Sequence, residues 1–283
     1  MAMSSVCRES YDCPMTIERL GRGGRLRAPA AVLAALCLTG CEPTLNVGEW
    51  TCSEAGSTAE PPVSTSAVAL PWATGFEQRF CDYTQLAGFC YADPKASYET
   101  VTEPVHSGRY AAAFKVDSAL TDGRQARCVR QGVLPSAAYY AAWYYVPEPA
   151  TNFALWNLWH FQGGEPSAPS GLHGLWDVSL VNGTNGALEL VVFDFLNGRT
   201  RRAANPRPIP IGAWFQVEFY LKRAADNTGE VALYQDGELQ LEIKNLRTDD
   251  SRWGQWYVGN LASGLTPSEF TLFVDDVTIR ATR

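Results

Sequence analysis

Phe153-Ala154-Leu155-Trp156-Asn157-Leu158-Trp159-His160-Phe161-Gln162 is the stretch on which the reading of this chain turns. Apolar and aromatic residues dominate it, and it reads as one strand whose side chains alternate between two faces. Phe153, Leu155, Asn157, Trp159 and Phe161 form one face, which is mostly core. Ala154, Trp156, Leu158, His160 and Gln162 form the other, which ends in an imidazole and an amide beside a Trp. That mixture is unusual for a strand that only packs, so His160 and Gln162 become candidates for a site.

On both sides of this strand, short extended runs alternate with turn signals. Upstream lie Arg109 to Val116, after the turn His106-Ser107-Gly108, then Ala126 to Leu134 and Ala138 to Val146, the last closed by Pro147 and Pro149. Downstream, a Gly/Pro/Ser loop from Gly163 to Gly174 leads to Leu175–Val181 and Ala187–Phe195. Trp214–Leu221 and Val231–Tyr234 follow, and Asp236-Gly237 is a strong two-residue hairpin signal into Leu239–Ile243. Trp253–Gly259 and Phe270–Arg280 finish the chain. About eleven strands at this spacing, with almost no helical periodicity, predict an all-β fold: a sandwich or jelly roll. Trp214–Leu221 also alternates. Phe215, Val217, Phe219 and Leu221 suit the core, while Trp214, Gln216, Glu218 and Tyr220 make an aromatic and polar face. Such a face can stack on a pyranose and bond its hydroxyls, or simply be a solvated sheet surface.

The chain has 283 residues, 46% hydrophobic and 12% aromatic, with a formal charge of -7. That suits one sizeable domain with appendages, and the acidic balance disfavours nucleic acid as a partner. Residues 1–40 read as a secretory leader, with Met15 the better start. Arg19, Arg22, Arg25 and Arg27 form a basic region, and Ala30 to Leu38 form an apolar region too short to span a bilayer. It runs into Leu38-Thr39-Gly40-Cys41, which resembles the bacterial lipobox. That resemblance implies that Cys41 is lipidated and becomes the first residue of the mature chain, held on a membrane by lipid alone. Residues 41–70 are a Ser/Thr/Pro-rich tether and 71–283 the domain. Loss of residues 1–40 removes five Arg and three acids, leaving a net charge of -9. Besides the lipidated Cys41, Cys52, Cys81, Cys90 and Cys128 remain, enough for two disulfides. Cys81–Cys90, closing a short loop, and Cys52–Cys128 are the expected pairs.

The order of features from Phe76 to Ile279 resembles the concanavalin-A-like jelly-roll superfamily, and within it the heparin-lyase-I-like polysaccharide lyases and laminin-G-like domains. His106-Ser107-Gly108-Arg109-Tyr110-Ala111 is similar to the "sGkyA" strand of that family. Arg124 to Arg130 is similar to its Arg-bearing strand, and Tyr140 to Pro147 to its aromatic strand. Gly212-Ala213-Trp214-Phe215, Gly229-Glu230-Val231 and Asp236-Gly237 resemble "G-x-W…G-x-v…dG", and Phe273 to Val277 resembles "vDDv". The resemblance implies an all-β, two-sheet antiparallel sandwich. For a lyase it implies a base, usually His or Tyr, and groups that neutralise the uronate carboxylate. The Gln-x-His of the lyases falls on Leu158 and His160, so the His is present and the Gln is not. Aligning their Lys-x-Gly-x-Tyr on Gly259 puts Tyr257 at the Lys and Leu261 at the Tyr.

These readings converge on a surface-anchored lipoprotein of the bacterial envelope, at the outer membrane or cell surface. Its domain is expected to be a monomer that binds polysaccharide in a groove built from Trp156, His160, Gln162, Trp214, Gln216, Glu218, Tyr220 and Arg127. The enzyme alternative is a lyase that cleaves uronate glycans by β-elimination, with His160 as base and Tyr257 or Tyr144 as partner. A laminin-G-like or MAM-like adhesion domain that meets protein is the third reading. Glu77, Asp275 and Asp276 resemble the calcium site where the first and last strands of related jelly rolls meet. Glycoside hydrolysis is disfavoured, because Glu189 and Asp194 fall on opposite faces of their strand and Glu218 has no acidic neighbour at i+2 or i+4.

Overall fold

In a computed structural model of the protein, the described residues are 67–84, 88–118, 123–164, 172–249, 251 and 253–283. All lie in the second of two compact units, Thr44–Arg283. The leader, the lipobox Cys41, Cys52 and most of the tether fall outside them. Among the described residues, no helix is long and apolar enough to cross a membrane.

The elements are β1 (Trp72–Thr74), α1 (Cys81–Thr84), β2 (Phe89–Ala92), β3 (Ala96–Val101), β4 (Ala111–Asp117), β5 (Arg124–Gly132), β6 (Ala137–Tyr145) and β7 (Thr151–Gly164). Then come β8 (His173–Asn182), β9 (Leu188–Asp194), β10 (Arg199–Arg202), β11 (Trp214–Lys222), β12 (Gly229–Gln235), β13 (Glu238–Leu246), β14 (Trp253–Thr266) and β15 (Glu269–Arg280). They form two antiparallel sheets. The first runs β13-β12-β11-β6-β15-β4-β3, with β1 added against β15, and the second runs β10-β9-β8-β7-β14-β5-β2. The expected all-β jelly-roll sandwich is the observed architecture. The Asp236-Gly237 hairpin is present as well. Both residues have positive φ, 50° and 81°, as a type I′ turn between paired strands requires.

Alternation builds the core. Trp156, Trp159, Trp176, Phe161 and Trp256 from the second sheet meet Tyr140, Tyr144, Phe215 and Phe219 from the first, all fully buried or nearly so. The rings meet mostly edge to face, as at Tyr140–Phe161 (4.9 Å) and Trp159–Trp256 (5.6 Å), the arrangement that their quadrupoles favour. Four strands were not apparent in the sequence. β10 is Arg-Thr-Arg-Arg, with no apolar alternation, and pairs only with β9 at the sheet edge. β1, β2 and β3 are short, and each takes its shape from the strand it pairs with.

The expected disulfides are corrected. Cys90 is bonded to Cys128, so neither Cys81–Cys90 nor Cys52–Cys128 forms. The reason is register: β2 pairs with β5 so that Cys90 stands directly opposite Cys128, which puts both Cβ atoms on one face. Cys81, at the start of α1, is also disulfide-bonded, to a partner outside the described residues.

Strict alternation fails in β7, and that failure shapes the site. Between Asn157 and Trp159, β7 spends two residues against one of β8, which is a β-bulge. Leu158 and Trp159 therefore both point inward with Trp156. Asn157, which alternation assigns to the core face, is turned out onto the face of His160.

Candidate functional site

The outward face of the second sheet is read best as rows of residues that stand opposite one another across the strands. One row carries Val129, Tyr257, His160, Asp177 and Phe193 on β5, β14, β7, β8 and β9. A second carries Gln131, Gln255 and Gln162. In a third, Leu261, Asn157, Ser179 and Val191 face one another, with Arg127 placed opposite Gly259. Three strands distant in sequence thus bring a guanidinium, an imidazole, a phenol and several amides together.

Side-chain bonds connect the rows. Arg127 donates from Nη2 to Asn157 Oδ1, and its guanidinium lies 5.7 Å from the Tyr257 ring centre. Asn157 Nδ2 donates to the Trp159 carbonyl at 2.7 Å and faces Ser179 Oγ at 3.4 Å, which fixes the amide with its oxygen toward Arg127. The Tyr257 hydroxyl lies 3.1 Å from Gln162 Oε1 and within bonding reach of Gln255 Oε1. Gln255 Nε2 in turn donates to Gln131 Oε1 at 3.1 Å. His160 Nδ1 is 2.5 Å from Asp177 Oδ1, and its ring stands edge-on to Tyr257 (5.4 Å) and Phe195 (5.6 Å). Phe195 is 40% exposed, so its ring is open to a ligand beside His160. Arg127 is 2% exposed, and its Nε meets no hydrogen-bond partner among the described residues.

The residues expected in one groove are divided by the fold. His160, Gln162, Arg127 and Tyr257 share the face just described. Trp156 does not: it is 1% exposed, packs edge-on against Phe270 and donates from Nε1 to Asn260 Oδ1 at 3.1 Å. The bulge in β7 places it in the core. Trp214, Gln216, Glu218 and Tyr220 lie on β11, in the other sheet, and point away from the core on the opposite side of the sandwich. Trp214 packs beside Tyr145, Tyr220 beside Tyr139, and Gln216 donates its backbone N–H to Asp236 Oδ1. Glu218 is buried beneath Arg280 and Arg283, each 2.6 Å from one of its oxygens. Tyr144 is also corrected as a catalytic partner. It is fully buried between the sheets, where burial holds its phenol well above the ordinary range.

The three residues expected to hold calcium bond the loop from His106 to Tyr110. Glu77 Oε1 accepts the backbone N–H groups of Arg109 and Tyr110. Asp275 Oδ2 accepts those of His106 and Ser107. Asp276 bonds His106 Nδ1 at 2.6 Å and the Ser107 hydroxyl at 2.9 Å. Among the described residues, no group of three or more acidic, His or Cys side chains is arranged to hold a metal ion.

Asn157, Asp177, Ser179 and Phe195 were not picked out from the sequence. For Asp177 and Ser179 a signal existed, since polar residues interrupt the apolar Leu175–Val181 run at every second position. For Asn157 there was none, because the bulge has no local marker.

No protein-family model matches the chain, and no curated protein matches it by sequence. Solved structures do match in shape. The endo-β-1,4-glucuronan lyase from the fungus Trichoderma reesei aligns over 69% of this chain and 90% of its own, at 19% identity and a TM-score of 0.51. The likeness shows the fold, an all-β jelly-roll sandwich of two antiparallel sheets. The cellulose induced protein Cip1 has the same fold, with 13% identity over 75% of this chain and 97% of its own and a TM-score of 0.50. The marine PL-14 alginate lyase from Aplysia kurodai aligns at 13% identity over 78% of this chain and 99% of its own, with a TM-score of 0.48.

Proposed function

We propose that the outward face of the second sheet binds a uronate-containing polysaccharide and cleaves it by β-elimination. The single observation behind this reading is the convergence of Arg127, Asn157, His160 and Tyr257 on one face of the sheet. β-Elimination asks for those residue types. Arg127 pairs with the uronate carboxylate and lowers the energy of charge developing at C5. Asn157 holds the guanidinium in place. His160 Nε2 takes the C5 proton. The C4–O4 bond breaks with its electron pair on O4, C4 and C5 become doubly bonded, and Tyr257 gives its proton to the departing oxygen. The proton on His160 then passes to the Tyr257 phenolate, directly or through water, which restores both groups. Phe195 supplies a ring on which a neighbouring sugar can stack. The leader and lipobox support placing this activity at the bacterial envelope, on a lipid-anchored protein.

A second reading is binding without cleavage. The internal bonds of Tyr257 to Gln162 and Gln255 favour it, since they tie up the hydroxyl that would donate. One experiment separates the two. The domain is incubated with polyglucuronate, alginate and heparin-type polymers while absorbance of the unsaturated product and bound fraction are followed together. Turnover reduced by about 10²-fold or more in His160→Ala is the expected result. Binding without any rise in absorbance means recognition only, and the absence of both signals overturns the assignment of this face.

A further inference from the structure

Asp177 lies directly opposite His160 across the β7–β8 pair. Its Oδ1 is 2.5 Å from His160 Nδ1, and the two side chains are only 11% and 15% exposed. The imidazole is walled on two sides by the edge-on rings of Tyr257 and Phe195, so its plane is fixed as well as its nitrogen. Among the described residues, Nε2 meets no hydrogen-bond partner. A neutral imidazole carries its proton on one nitrogen only, and the partner of that nitrogen decides which. A carboxylate accepts and cannot donate, so the nitrogen it faces is the one that bears the proton.

We propose that Asp177 is a positioning residue that holds His160 in the Nδ1–H form and leaves the Nε2 lone pair directed at the site. This rests on the reading of His160 as the base. It adds that the base is ready before substrate arrives, and that the imidazolium formed on proton uptake is held by a carboxylate already in contact. Ser179, two residues along β8 on the same face, faces the Asn157 amide in the parallel role. β8 is then the strand that orients both groups.

The test begins with the folded domain, with no substrate. Ring ¹⁵N shifts of His160 are read at a pH where the imidazole is neutral, with assignment simplified by there being three His in the chain. The Nδ1–H form is expected in the wild type, and loss of that preference in Asp177→Asn, which keeps the shape but can donate. A wild-type spectrum of the Nε2–H form overturns the inference, whatever the protein does to polysaccharide. On a polymer that the wild type cleaves, Asp177→Asn is expected to lower kcat by ~10²–10⁴-fold with KM nearly unchanged, and Asp177→Glu to recover part of it. An Asp177→Asn variant with the Nδ1–H form lost and kcat within about threefold of wild type overturns the role in the reaction. Absence of turnover in the wild type counts against the lyase reading alone, because the spectrum still decides the tautomer.

Discussion

Arg127 reaches Asn157 over a residue that has no side chain. The two stand on β5 and β7, and between them β14 presents Gly259, directly opposite Arg127. Gly259 has φ +144°, and a Cβ placed there would lie 2.4 Å from the Ala126 carbonyl oxygen. The strand can pass this closely, and the guanidinium can lie across it, only because the residue is glycine. Gly259→Ala is expected to destabilise the domain by ~1–3 kcal/mol and to weaken uronate-polymer binding. Urea unfolding measures the first effect. A midpoint equal to that of wild type would show that β14 accommodates a side chain here and that the gap is incidental.

Trp156 belongs to the core, so its removal acts on stability. Trp156→Ala is expected to cost about 3–5 kcal/mol, read as a fall in denaturation midpoint at unchanged m-value. Trp214→Ala, at a half-buried position on the other sheet, should lose much less. Equal losses at the two positions would contradict the burial described for Trp156.

The Cys90–Cys128 bond spans 38 residues. Closing a loop of that length in the unfolded chain corresponds to about 3–4 kcal/mol. The Cys90→Ala/Cys128→Ala double variant is expected to lose stability of that order in thermal or urea unfolding. A much smaller loss would mean that β2–β5 pairing already restrains the unfolded ensemble.

Burial pushes the Asp275 carboxyl up to about 6, although the N–H groups of His106, Ser107 and Asp276 bond to it and pull the other way. The folded protein therefore keeps a proton on Asp275 at pH values where the unfolded chain, with an ordinary Asp near 3.9, has lost it. More protons bound in the folded state mean that this group lowers stability as pH rises from about 4 to about 6, and no further above that. Asp275→Asn removes this slope. Subtracting its unfolding free energies from those of wild type across this range should leave a difference that falls with pH. A flat or rising difference would show the carboxyl to be ionised throughout.

Much of the architecture was legible. The strands at Ala138–Val146, Trp214–Leu221 and Phe270–Arg280 were found within a residue or so, because each is an aromatic or β-branched apolar run bounded by turn residues. The Asp236-Gly237 turn declared itself through residues that accept positive φ. The site was only partly legible. His160 and Gln162 stood out as polar groups in an aromatic strand, and Arg127 lay in the stretch Arg124 to Arg130 that resembles an Arg-bearing strand. Trp214, Gln216, Glu218 and Tyr220 had an equally suggestive pattern and proved to lie on the far side of the sandwich. Alternation tells which residues share a face of one strand, but it carries no information about which sheet the strand joins.

What the sequence by itself determined is therefore local: an all-β chain, the position of most strands, the hairpin, and the candidacy of His160. Only the tertiary structure decided that Cys90 faces Cys128, that Asn157 turns out toward Arg127, and that Asp177 meets His160. The physical reason is the same in each case. Cross-strand register and bulges arise from pairing between segments far apart in the chain. A shift of one residue moves a side chain from the core to the site without changing a letter nearby.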